Sequence, residues 1–181
     1  GTSSTDSITL TADDGTAYTT LTTGIETITV AYAANKGVTI QMGANDTQIA
    51  ANKTLTVDAS ALSETDEPFT FTGSASELDG FLSITGGTGN DTITGAADND
   101  TISSGSGVDS ITGGKGADSI TGGAGADTFV YTAVNQSTTN SFDNITDWTT
   151  GTDKFNVTLN YSAMSTGVDV NAVLLTAAAG T

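Results

Sequence analysis

Apolar residues in the first half of this chain come one at a time and on alternate positions. Ile8 and Leu10, Ile28 and Val30, Leu55 and Val57, and Phe69 and Phe71 are each separated by one polar residue, and Val38, Ile40 and Met42 extend the pattern to three. Alternation with period two marks a strand that buries one face. The pattern predicts strands over residues 7–11, 26–31, 38–42, 54–58, 69–72 and 82–85, joined by links rich in Gly, Asn, Asp and Ser. Residues 65–68 and 76–80 read as loops, the second with a short helical turn that Ser76 would cap. From Thr54 onward the strands draw closer together, toward a spacing that the next segment holds without slip.

That segment, Gly86 to Val130, reads GGTGNDTIT, GAADNDTIS, SGSGVDSIT, GGKGADSIT and GGAGADTFV. Each unit of nine ends in a short strand with one apolar residue, Ile93, Ile102, Ile111, Ile120 or Phe129, so that residue points inward and its neighbours, such as Thr92 and Thr94, point to solvent. The other six residues must form a turn. Glycines at positions one, two and four (Gly86, Gly87 and Gly89; Gly105 and Gly107; Gly113, Gly114 and Gly116; Gly122, Gly123 and Gly125) supply positive φ and aim carbonyls at a common centre. Position six is always aspartate: Asp91, Asp100, Asp109, Asp118 and Asp127. The second unit carries Ala96 and Asp98 in place of glycines, and the third begins with Ser104; Asp98 either strains its turn or adds a ligand.

Two units make one coil with strands on opposite sides, so unit n stacks on unit n+2. The pairing brings Asp91 to Asp109, Asp100 to Asp118, and Asp109 to Asp127. Stacked parallel strands lie about 4.7–4.9 Å apart. Carboxylates at roughly that distance repel by about 1 kcal/mol in water and about 4 kcal/mol at an effective dielectric near 20. Only Lys115 offsets this charge within the repeats. A hard dication with oxygen ligands fits, and calcium fits best, held by two carboxylates of stacked loops and the carbonyls of the glycine turns. Magnesium wants near-ideal octahedral geometry and keeps its waters, and zinc lacks its usual ligands because the chain has neither His nor Cys. One small apolar residue per strand is a thin core for a glycine-rich segment, so the repeats are expected to be disordered without calcium and to fold on binding it.

Composition sets the class. Helix-favouring patterns are nearly absent, and Thr, Ser, Gly, Val and Ile dominate, which makes the chain all-β: a parallel β-roll or β-helix solenoid with an irregular strand region upstream and a C-terminal cap. The expected organisation is an irregular β region over 1–81, a calcium-binding roll over 82–130 and a capping segment over 131–181. The first region continues the solenoid, with an antiparallel sandwich as the alternative. Asp58, Asp66 and Asp79 read as solvated loop residues. Aromatic and apolar residues gather where the repeats stop, at Phe129, Tyr131, Phe142, Ile145, Trp148 and Phe155, as a solenoid end requires. With net charge -17, four lysines and no arginine, the chain lacks a phosphate-binding stripe and is not expected to bind nucleic acid or anionic membrane. No apolar run approaches the roughly 20 residues of a transmembrane helix. The absence of cysteine is compatible with export. The chain begins at Gly1 without a signal peptide and reads as an excerpt of something longer.

The nonapeptides are similar to the G-G-x-G-x-D repeats of RTX (haemolysin-type calcium-binding) proteins. The run D-x-I-x-D-W-x-x-G-x-D-K-F, which follows GGAGADTFVY, resembles the C-terminal segment of type I secreted RTX proteins, serralysin-like proteases among them, with Trp148 where phenylalanine is usual. The resemblance implies calcium as the bound ion, passage through a type I secretion channel, folding outside the cell, and a part for Asp143 and Asp147 in closing the last calcium sites. It does not name the work of the parent protein. There is no HExxH and no GxSxG, so catalysis by this chain is not expected. The Thr/Ser-rich composition is similar to bacterial surface-layer and adhesin proteins, and the expected role is a structural module at the cell surface, self-associating or contacting surface polysaccharide. The alternatives are a secretion and folding domain of an RTX enzyme or toxin, and a ligand- or ice-binding adhesin using the outward hydroxyls of Thr92/Thr94, Thr101/Ser103, Ser110/Thr112 and Ser119/Thr121.

Overall fold

The computed structural model describes residues 7–11, 17–18, 25–31, 37–42, 49–76, 80–158 and 176–177. Strands alternate between two parallel sheets. The first contains, in spatial order, β1 (Ser7–Thr11), β3 (Thr27–Ala31), β5 (Thr54–Asp58), β7 (Phe81–Thr85), β9 (Thr101–Ser103), β12 (Ser119–Thr121), β15 (Asn144–Ile145) and β17 (Thr176–Ala177). The second runs β2 (Ala17–Tyr18), β4 (Val38–Gln41), β6 (Phe69–Thr72), β8 (Thr92–Thr94), β11 (Ser110–Thr112), β14 (Thr128–Tyr131) and β16 (Lys154–Val157). Two further short strands, β10 (Ser106–Gly107) and β13 (Ala124–Gly125), pair with each other inside the turns. The molecule is an all-β parallel solenoid, with no helix among the described residues.

The eighteen-residue stacking is visible in the register: Ile93 faces Ile111, Ile102 faces Ile120, and Ile111 faces Phe129. Strands β1 to β7 also pair in parallel within the same two sheets, through Ile28 with Val57 and Val57 with Ile84 on one side and Ile40 with Phe71 and Phe71 with Ile93 on the other. An antiparallel sandwich therefore does not occur among the described upstream strands. Observed strand limits fall within a residue of the alternation pattern. β2 is an addition that its short polar surroundings did not signal, and the helical turn expected at Ser76 falls on 77–79, outside the described residues.

The core changes width along the axis. Strands β3 to β7 each bury two side chains, such as Leu55 and Val57 in β5, Phe69 and Phe71 in β6, and Leu82 and Ile84 in β7. Strands of the repeats bury one. At β14 the interior widens again, with Phe129 and Tyr131 both buried. Trp148 stacks on Phe155 at 4.4 Å and 12°, and both rings approach Phe129 (5.9 and 6.0 Å). Ile145 joins this core. Phe142, expected in the same cluster, is 47% exposed. The outward hydroxyls form columns on both faces, Thr92 beside Ser110 on one sheet and Thr101 beside Ser119 on the other.

Candidate metal centre

The narrow middle of the solenoid is where the turns take over from the core. Turns 86–91, 104–109 and 122–127 follow one edge, and turns 95–100 and 113–118 follow the other. Each places its aspartate immediately before a strand, which directs the carboxylate inward and toward the preceding coil. The result is two ladders. On the first edge Asp91 Oδ1 accepts the Phe69 N–H (2.8 Å), Asp109 Oδ1 the Asp91 N–H (2.8 Å), Asp127 Oδ1 the Asp109 N–H (3.0 Å), and Asp153 Oδ1 the Asp127 N–H (3.1 Å). On the second, Asp100 Oδ1 accepts from Leu82 (2.9 Å), Asp118 Oδ1 from Asp100 (2.9 Å), and Asp143 Oδ1 from Asp118 (3.1 Å). The three expected aspartate pairs are thus neighbours, joined by carboxylate to backbone N–H.

The second carboxylate oxygen divides the aspartates. Asp91 Oδ2 accepts the Gly87 N–H (2.8 Å) and Asp100 Oδ2 the Ala96 N–H (2.6 Å), each four residues earlier. Asp109 Oδ2, Asp118 Oδ2 and Asp127 Oδ2 are buried with no hydrogen-bond partner. The difference comes from the turn. Gly105, Gly114 and Gly123, four residues before these three aspartates, have φ of 106°, 116° and 92°, and Gly107, Gly116 and Gly125 have 135°, 117° and 145°. Positive φ turns the position-two N–H away from the carboxylate. Gly87 and Gly89, despite an unbroken GGTGND sequence, are not in this region. They stack under loop 59–68, where Thr88 N–H bonds Leu62 O (2.9 Å), whereas the three later turns stack under another nonapeptide.

Position-one glycines also depart from the expectation of positive φ. Gly86, Gly113 and Gly122 have ordinary φ; a Cβ on any of them would collide with the Oδ2 of Asp91, Asp118 or Asp127. They are small so that the carboxylate can lie against the turn. Gly95, not singled out by sequence, does the same for Asp100. The Ser104 hydroxyl lies beside the Asp109 carboxylate and slightly offsets the effect of burial on it, but its proton is donated to Gly122 O (2.6 Å).

Asp98 is half-buried; its Oδ1 accepts the Asn99 N–H (2.9 Å), and its charge acts on both Asp100 and Asp118. Asp143 Oδ2 accepts the Tyr131 hydroxyl (2.9 Å), and its N–H bonds Ser137 Oγ (3.0 Å). Asp147 lies outside the ladders, with Oδ1 on Gly122 N–H (2.9 Å) and Oδ2 on Gly123 N–H (2.5 Å). The ladder position on that edge belongs to Asp153, whose signal was its place before the strand Lys154–Val157. Tyr131 carried no comparable signal. Asn90 and Asn99 add a side ladder, their Oδ1 atoms accepting Val108 N–H (2.8 Å) and Ala117 N–H (2.7 Å).

Electrostatically these are costly carboxylates. Burial raises Asp91 and Asp127 from 3.8 to about 6, Asp100 to about 7 and Asp118 to about 8, and raises Asp109 as well. The charge of neighbouring acids adds to burial, at Asp118 from Asp143, Asp100 and Asp98. The exposed Lys115 provides no contact to relieve them. Among the described residues no three acidic side chains converge on one point, so an ion between two turns would draw on a pair of aspartates and on main-chain carbonyls. That all-oxygen donor set, with a buried unpartnered oxygen, suits a hard dication of calcium's size and flexible coordination.

Residues 69–171, more than half of the chain, match the family model described as Peptidase M10 serralysin C terminal. No curated protein matches the chain.

Proposed function

This chain belongs to the Peptidase M10 serralysin C-terminal family, an RTX-type β-roll family that binds calcium, and we propose that it is a calcium-folded, non-catalytic structural module of a secreted bacterial surface protein. The observation that carries the reading is the set of buried, unpartnered oxygens, Asp109 Oδ2, Asp118 Oδ2 and Asp127 Oδ2, each in a turn with left-handed glycines that stacks beneath another nonapeptide turn. Calcium, when bound, supplies the positive charge that these carboxylates lack. The pairs Asp91 and Asp109, Asp100 and Asp118, and Asp109 and Asp127 would hold it, and carbonyls of the glycine turns would complete the oxygen set. Asp98 sits beside the second pair as an auxiliary charge.

Export as an unfolded chain through a type I channel, followed by folding in external calcium, agrees with a segment whose aspartates oppose stacking until a cation arrives. The roll over 82–130 is the calcium-dependent part, between the wider-cored strands β3 to β7 and the aromatic cluster of Phe129, Trp148 and Phe155. A second reading is favoured by the family description itself: a folding and secretion domain joined to an enzyme whose active domain lies elsewhere. Sequence flanking Gly1 and Thr181 separates the two, and calcium-dependent assembly into sheets supports the surface-layer role. The calcium reading is tested by far-UV circular dichroism. β signal is expected to be low in excess chelator and to rise with added calcium; a full signal in chelator at neutral pH refutes it.

A further inference from the structure

Among the described residues seven carboxylates reach toward a preceding coil, and of these only the middle three lack a donor on the second oxygen. Toward the N-terminus the turns supply that donor, Gly87 N–H for Asp91 and Ala96 N–H for Asp100. Toward the C-terminus Asp143 Oδ2 takes the Tyr131 hydroxyl and Asp153 Oδ2 the Thr149 N–H (2.7 Å), again four residues earlier. We infer that the solenoid is sealed by protein donors at both ends of its ion-binding stretch, so that it holds three ions, and that Tyr131 is the positioning residue that withholds Asp143 from metal. The inference rests on the calcium reading above and refines its site list: Asp143, Asp147 and Asp153 are closing groups.

The chemistry favours a permanent seal at Tyr131. Its hydroxyl is buried against Asp143 Oδ2, and a phenol is a protonated donor throughout the range in which aspartates ionise. Phe155 packs on its ring at 6.3 Å and limits movement. Loop 132–143 has twelve residues where a repeat turn has six, and Ser137 Oγ fixes the Asp143 N–H, which holds the Asp143 carboxylate at the tyrosine. On the other edge Asp147 occupies the N–H groups of Gly122 and Gly123, and with Trp148 packed on Phe129 it anchors loop 146–153 beneath the last nonapeptide.

The test is the number of calcium ions bound by the full chain, read by native mass spectrometry and isothermal titration. Three ions are expected for the wild type and for Asp143→Asn, whose amide can still accept from Asp118 and donate to Tyr131. Tyr131→Phe keeps the ring, strips Asp143 Oδ2 of its donor and is expected to take up a fourth ion. Four or five ions on the wild type, with one lost in Asp143→Asn or Asp147→Asn, would overturn the inference while leaving the calcium reading intact. A count of three in folded Tyr131→Phe would overturn the role of Tyr131. No bound calcium at all would sink both readings.

Discussion

At the scale of single residues, the nonapeptide aspartates are chemically unequal although the repeat writes them identically. Asp109 lends its Oδ1 to Asp91, gives its N–H to Asp127 and keeps a buried unpartnered Oδ2, while Asp91 has backbone donors on both oxygens. Asp109→Ala should therefore raise the calcium midpoint for folding more than Asp91→Ala, as read by circular dichroism titration of both variants. Equal shifts would show that the eighteen-residue pairing does not govern binding. Glycine offers a second comparison. Gly123 and Gly151 have similar φ, 92° and 87°, but a Cβ on Gly123 would run into the Gly105 carbonyl of the turn above, whereas nothing lies within 4 Å of one on Gly151. Gly151→Ala should cost only the left-handed strain of about 1–2 kcal/mol. Gly123→Ala adds a backbone collision between stacked turns, and its melting temperature in saturating calcium should fall well below that of Gly151→Ala.

At the scale of elements, the strands were legible because alternation and burial express the same physics: the residues of Thr54–Asp58 and Phe69–Thr72 that alternate in sequence are those that face the core. The aspartate ladder was legible for a related reason, since a fixed period of nine fixes the stacking partner. What escaped notice lacks a period. Tyr131 meets Asp143 across a loop of irregular length, and Asp153 stands 26 residues from Asp127 where the repeat would place a partner at eighteen. The turn 86–91 shows a further limit, because its consensus glycines adopt a different turn under loop 59–68, a neighbour that no local reading supplies. The narrow core also makes each buried side chain count. Ile111 lies between Ile93 and Phe129 and is fully enclosed, so Ile111→Ala should cost about 2–5 kcal/mol. Thr112→Ala, on the outward face, should remain within about 0.5 kcal/mol. Chemical denaturation in calcium reads both.

At the scale of the whole molecule, the ladder couples folding to pH and calcium in opposite senses. Burial raises the folded-state pKa of Asp91, Asp127 and Asp143 to about 6, of Asp100 to about 7 and of Asp118 to about 8, all above the ordinary 3.8. The ion-free fold thus holds protons more tightly than the unfolded chain does. Stability from these groups is fully present below about pH 4 and is lost as pH rises through 6 to 8. A proton and a calcium ion are alternative ways of cancelling the same buried charge. In excess chelator, acidification from pH 8 toward 4 should therefore restore β signal and raise the melting temperature. With calcium the dependence reverses, because only ionised carboxylates serve as ligands: raising the pH from 5 to 8 should lower the calcium midpoint as protons cease to compete. Melting curves across this range, with and without calcium, check both limbs. If chelated protein grew more stable as pH rose, the aspartates would have to be satisfied within the ion-free fold, and the unpartnered oxygens of Asp109, Asp118 and Asp127 could not be the seat of calcium dependence.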